Sequence, residues 1–183
     1  MRRLPVIAAL ALAAASVTVW PTPPATAALA QGVRAPDFTA PGAQGGRRFT
    51  VSLHEALRRG PVVLYFFPRA FTSGCTIESR AFAEAIPRFR AAGATVIGMS
   101  GDTVEDLARF STEACRARFP MASASEAIIS AYDVSLRPGI TSRTSYVIAQ
   151  DGTVALVHND MNPNEHITLT LAAVQRLHAT RRR

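Results

Sequence analysis

The stretch Val62–Glu78, VVLYFFPRAFTSGCTIE, constrains what this chain can fold into more than any other. From Val62 to Phe67 the only polar side-chain group is the Tyr65 hydroxyl, which predicts a central strand buried on both faces. Pro68 cannot donate to a ladder and ends the strand. After Ser73 and Gly74, the apolar positions Ile77, Phe82, Ile86 and Phe89 recur at helical spacing, so Cys75 falls in the first turn of a helix. Unpaired amides and the positive end of the helix dipole favour an anion there. Cysteines at such sites have pKa values of roughly 3.5 to 7.5 instead of about 8.5. Cys75 is therefore a candidate nucleophile; a small apolar residue in a helix start is the plainer reading of the same position.

Around this unit the chain reads as strands alternating with helices. Residues Gln31–Gly46 form an extended lead-in and a turn, Phe49–Val51 a short strand, and Ser52 caps a short helix over Leu53–Arg59. The Cys75 helix runs to about Ala92, closed by Gly93, with Pro87 expected to bend or break it near Ile86. Thr95–Met99 is a second buried strand, which requires a right-handed parallel crossover. A helix from Val104 to about Arg118 carries Cys115 on its apolar face, Phe119–Ala122 is an edge strand, and Glu126–Tyr132 a short helix. Arg137-Pro138-Gly139 is a loop. Ser145–Ala149 and Thr153–Val157 flank a hairpin turn at Asp151-Gly152, and Ile167–Leu177 is a final amphipathic helix. This order predicts an α/β domain, a mixed central sheet with helices on both faces.

Residues 1–30 stand apart. Arg2 and Arg3 precede an apolar run, Val6–Trp20, that is shorter than the roughly 20 residues needed to cross a bilayer. Prolines and the small-residue sequence Ala28-Leu29-Ala30 follow. The pattern predicts a signal peptide cleaved after Ala30 or Ala27, an exported (periplasmic or secreted) protein, and no stable membrane anchor. Residues 31–183 then form one domain. The net charge of +7 comes entirely from arginine, with no lysine, and the arginines are dispersed without an interleaved aromatic patch, which argues against nucleic acid as a partner. The four histidines lack metal-ligand spacing and no glycine-rich phosphate loop is present, so no metal and no cofactor are expected. Two cysteines in an exported domain also fit a structural disulfide.

Pro68, Thr72 and Cys75 fall as P-x-x-x-T-x-x-C, which resembles the active-site motif of the peroxiredoxins. Ala35-Pro36-Asp37-Phe38 resembles the family's opening APDF, Val96–Ser100 its second strand, and Arg143-Thr144-Ser145-Tyr146-Val147-Ile148 the strand carrying its active-site arginine. FFPRAFTSGCTIES and the late Asp151-Gly152 hairpin are most similar to the bacterioferritin comigratory, or peroxiredoxin Q, class. The resemblance extends over about residues 33–178 and implies a thioredoxin-like fold, a hydroperoxide substrate, a thioredoxin-like or other thiol reductant, and a monomer or weak dimer.

It also implies roles for named side chains. Cys75 attacks the peroxide, Arg143 is its counter-ion and donor, the Thr72 hydroxyl bonds sulfur and peroxide, and Pro68 shields the sulfur from water. Glu78 either orients an arginine or is a solvated helix-face carboxylate. Many members of the class carry a resolving cysteine where this chain has Arg80, so only Cys115 remains for that role. The resolving role is the favoured reading of Cys115; a small core residue is the other, which would leave a one-cysteine enzyme resolved by an outside thiol. The alternative from another class is a non-catalytic domain stapled by a Cys75–Cys115 disulfide.

Overall fold

The computed structural model describes residues 28–181. The expected leader lies outside the described residues except for Ala28-Leu29-Ala30. There, the Leu29 amide donates to the Tyr146 hydroxyl at 3.1 Å, and Ala28 and Leu29 pack against the core.

The run Val62–Phe67 is the middle of the molecule. Strand β3 (Val62–Phe66), every residue of it buried, lies inside a seven-stranded sheet. To name its neighbours, β1 is Thr39–Gln44, β2 Arg47–Ser52, β4 Thr95–Ser100, β5 Met121–Ser123, β8 Thr144–Ile148 and β9 Val154–Asn159. The order is β2-β1-β5-β4-β3-β8-β9. β3 pairs in parallel with β4 and antiparallel with β8, with Tyr65 opposite Gly98 on one side and Ser145 on the other. The period of two along β3 divides the core. Val63, Tyr65 and Phe67 enter one cluster with α2 (Ser73–Ala91), α3 (Val104–Glu113) and α5 (His166–Arg181). Val62, Leu64 and Phe66 enter the other with α1 (Leu53–Leu57) and α4 (Glu126–Ala131). Helices thus cover both faces, as the element order predicts.

Helix α2 is held down by Cys75, Ser79, Phe82, Ile86 and Phe89. Burial of a ring such as Phe82 or Phe89 contributes roughly 1.5–3 kcal/mol. That phase corrects the expected apolar face: at about 100° per residue Ile77 points away and is 60% exposed, while Glu78 is buried. Pro87 neither ends nor interrupts the helix. It lies on the exposed side, where one missing backbone bond is outweighed by the rings packed opposite.

Further differences concern the connections. The lead-in before Gly46 contains β1, because Gly45 and Gly46, at φ 58° and 79°, turn the chain into a hairpin with β2. That hairpin extends the sheet beyond β5, so β5 is an interior strand rather than an edge. Helix α3 stops at Glu113, and Arg116 and Ala117 adopt left-handed φ values of 49° and 56° to turn the chain toward β5. Cys115 consequently sits in an irregular turn and not on the helix. Pro138-Gly139 is the tip of a small ribbon, β6 (Ser135–Arg137) with β7 (Ile140–Thr141).

Candidate active site

The chain leaves β3 at Phe67, whose carbonyl accepts from the Thr141 hydroxyl at 2.7 Å and whose amide donates to Met99. The loop Pro68–Thr72 is then tied down by Asp102. Its Oδ2 accepts from the Ala70 amide at 2.7 Å and from the Ser100 hydroxyl at 2.8 Å. Phe71 has φ 62°, a conformation that costs a bulky residue of order 1–3 kcal/mol. Its ring packs edge-on against Phe110 with the Arg109 guanidinium 5.1 Å from its centroid, which offsets that strain. The reversal at Phe71 lets Thr72 begin α2 as an extended N-cap.

Cys75, 1% exposed, lies in the first turn of α2 with its sulfur 3.6 Å from Arg143 Nη2. A Cβ at position 74 would sit 3.3 Å from that nitrogen, so Gly74 makes room for the guanidinium. Arg143 comes from the start of β8. Alternation puts Arg143, Ser145 and Val147 on the face that packs against α2 and α5. The guanidinium is held in three directions: Nε donates to the Met161 carbonyl at 2.9 Å, Nη1 to Glu78 Oε2, and Nη2 to the sulfur.

Glu78 is therefore the buried partner of an arginine rather than a solvated carboxylate. Burial pushes its pKa from 4.5 up to about 7, and the charge and hydrogen bond of Arg143 pull the other way. Among the described residues its Oε1 receives no hydrogen bond, and it lies 3.8 Å from His166 Nδ1. His166 is fully buried. Burial lowers its pKa from 6.5 to about 4, so the ring is neutral at pH 7. Its Nε2 lies 2.9 Å from the Asp160 carbonyl, which can only accept, so Nε2 carries the hydrogen. Nδ1 then accepts from the Ser145 hydroxyl at 2.8 Å.

Arg143 and Cys75 meet at the end of β3 from which Pro68 and Thr72 lead into α2, and the Thr72 hydroxyl is turned to the backbone. It donates to the Arg69 carbonyl at 3.0 Å. Cys115 is fully buried in the same core cluster as Cys75, among residues of α2 and α3. Burial raises its thiol well above the usual range, against the pull of a hydrogen bond with Ser79. Ser79, one turn beyond Cys75 on the same helix face, also lies 3.1 Å from the Tyr65 hydroxyl. Both cysteines are free, and no bridge joins them. Sequence reasoning missed His166, Ser145 and Asp102. The alternation of β8 from Arg143 carried a signal for Ser145, whereas His166 is brought in only by the packing of α5.

Comparison with known proteins gives the chain a family. The AhpC/TSA family profile matches residues 31–157. Peroxiredoxin Q from the chloroplast of Sedum lineare is 32% identical over 154 residues, covering 82% of this chain and 81% of that protein. Peroxiredoxin Q of Gentiana triflora is 35% identical over 155 residues, covering 81% and 68%. Among solved structures, peroxidoxin BcpB from Mycobacterium tuberculosis superposes with a TM-score of 0.72 at 29% identity, covering 80% of this chain and 96% of that one. A reduced 2-Cys peroxiredoxin from Plasmodium vivax, at 20% identity, shares the fold with a TM-score of 0.75, covering 84% and 99%. The chain belongs to the AhpC/TSA family, the peroxiredoxins, and has their thioredoxin-like fold. It is an oxidoreductase of the thiol-dependent peroxidase kind.

Proposed function

We propose that the protein reduces hydrogen peroxide and small organic hydroperoxides through a sulfenic acid at Cys75. The observation that carries this reading is the Arg143 Nη2 held 3.6 Å from a cysteine sulfur in the first turn of a helix. The Cys75 thiolate attacks the hydroxyl oxygen of HO–OR in line. The O–O bond breaks, Cys75 becomes Cys–SOH, and RO⁻ leaves to take a proton from water. Arg143 is the counter-ion of the thiolate and donates to the departing oxygen. The Thr72 hydroxyl, already donating to Arg69, offers lone pairs to the peroxide proton. Pro68, at the mouth, restricts water.

The Cys115 thiol then attacks the sulfenic sulfur, forming a Cys75–Cys115 disulfide and releasing water, and a dithiol reductant of thioredoxin type reopens the bridge. The left-handed turn at Arg116 and Ala117 supports this, since a strained irregular segment opens at lower cost than a helix. Complete burial of Cys115 favours the second reading, resolution by an outside thiol. Sulfur carries the electrons throughout, so the reaction needs no cofactor. The leader pattern supports export, and the contact of Leu29 with Tyr146 favours cleavage after Ala27.

The test is peroxide consumption by purified protein with dithiothreitol as reductant. Wild type should turn over, and Cys75→Ser should remain folded but inactive, because serine has no accessible anion at neutral pH. Activity of Cys75→Ser above about a tenth of wild type removes Cys75 as the nucleophile.

A further inference from the structure

His166 has no part in the chemistry above, yet it is fully buried and engages three neighbours of Arg143. Its Nε2 donates to the Asp160 carbonyl at 2.9 Å, closing the loop between β9 and α5. Within that loop the Asp160 amide donates to the Arg143 carbonyl at 3.2 Å, and the Met161 carbonyl accepts from Arg143 Nε at 2.9 Å. The imidazole therefore fixes the peptide next to the one whose carbonyl holds the guanidinium. On its other side Nδ1 lies 3.8 Å from Glu78 Oε1, the carboxylate whose second oxygen takes Arg143 Nη1. Ser145 holds Nδ1 at 2.8 Å from the strand that carries Arg143. Among the described residues, Glu78 Oε1 has no hydrogen-bond partner, and Nδ1, whose lone pair takes the Ser145 hydroxyl, offers it no hydrogen.

We infer that His166 is a positioning residue for peroxide attack: from the start of α5 it holds the Asp160 carbonyl, and through that peptide the adjoining Met161 carbonyl that aims the Arg143 guanidinium at the Cys75 sulfur. The inference rests on the peroxidase reading. It differs from a core-filling role in what it predicts. A core histidine replaced by an apolar side chain changes stability and leaves a folded site equally reactive. A lost anchor leaves the guanidinium charge nearby but misdirects its donors, which matter for a departing alkoxide and little for an uncharged alkylating agent.

The experiment measures two rates on reduced protein, oxidation of Cys75 by hydrogen peroxide under single-turnover rapid quench with mass detection, and alkylation of Cys75 by iodoacetamide. His166→Leu should slow oxidation by about tenfold or more and leave alkylation within about twofold of wild type. His166→Gln, whose amide nitrogen reaches the Asp160 carbonyl, should restore oxidation to within about threefold. Oxidation at the wild-type rate in His166→Leu, or equal slowing of both reactions, overturns the positioning role. Should His166→Leu fail to fold, His166→Asn replaces it: its shorter amide reaches the Ser145 side only, and oxidation as fast as in His166→Gln overturns the inference. A wild type whose Cys75 no peroxide oxidises overturns the peroxidase reading and this inference with it.

Discussion

Replacing Glu78 by glutamine should make the protein more stable at high pH and a slower enzyme. Glutamine has the same shape and can accept from Arg143, but it has no charge to desolvate. The carboxyl is 1% exposed, and its pKa rises from 4.5 to about 7 because burial outweighs Arg143. The folded state then binds more protons than the unfolded state between those values, so wild-type stability falls as pH rises through this window. At roughly 1.36 kcal/mol per pH unit, the loss is about 3 kcal/mol. His166 works in the opposite sense: its lowered pKa makes stability rise with pH between about 4 and 6.5, but it titrates in both proteins and cancels in the difference. Urea unfolding should therefore give near-equal stabilities at pH 4.5 and an advantage for Glu78→Gln approaching about 3 kcal/mol at pH 8. Peroxide oxidation of Cys75 at pH 8 should be slower in the variant, whose neutral amide holds the guanidinium less firmly. A variant less stable than wild type at pH 8, with a gap that widens as pH rises, would refute the reasoning: it would mean that the ion pair outweighs its desolvation.

Two further outcomes follow from the site. Arg143→Ala should slow peroxide oxidation of Cys75 by about tenfold or more, read by competition with a second peroxidase, and an unchanged pH–rate profile would remove Arg143 from the reaction. One equivalent of hydrogen peroxide should lower the intact mass of reduced wild type by two hydrogens per chain with no dimer on non-reducing gels, while Cys115→Ser should stop at a sulfenic acid. A stable sulfenic acid in wild type beside a free Cys115 would transfer resolution to an outside thiol.

The parts of the fold that were legible in sequence are those in which local pattern and burial agree. Val62–Phe67 has no polar face to present to water, and Pro68 stops it, so both its central place and its end were readable. The Ser52 cap and the Asp151-Gly152 turn likewise declare themselves through side-chain chemistry that acts over a few residues. Where the pattern misled, tertiary packing decided. Ile77 is a better core residue than Glu78 by hydropathy, but the phase set by Phe82, Ile86 and Phe89 buries Glu78, and Arg143, distant in sequence, is what makes that burial tolerable. Nothing near Glu113 marks the end of α3, because the turn uses arginine and alanine in the left-handed region instead of glycine. The candidate site divides the same way. The motif residues could be named, whereas His166 is placed by the docking of α5 and its loop.

Peroxide attack and the disulfide resolution proposed above make opposite demands on one cysteine, and different parts of the structure suit each. Attack requires a fixed guanidinium, and Arg143 is anchored beside a strand that pairs on both edges, with the Met161 carbonyl and Glu78 as acceptors. On the proposed cycle, resolution requires Cys75 and Cys115 to meet, and disulfide geometry allows Cα separations of only about 4.4–6.8 Å. The N-cap of α2 is loose, which suits the proposed movement. Thr72 stands at the capping position, but its hydroxyl is committed to the Arg69 carbonyl and makes no side-chain bond to a helix amide. A missing cap of this kind costs a helix start about 0.5–2 kcal/mol, and that lowers the free energy of unwinding the first turn by the same amount. The second thiol waits in the turn at Arg116 and Ala117 rather than in α3. On the proposed cycle, fraying at these two places would leave the pairing of β8 with β3 and β9 in place, and with it the backbone and Met161 carbonyl that bring Arg143 back once the bridge is reduced.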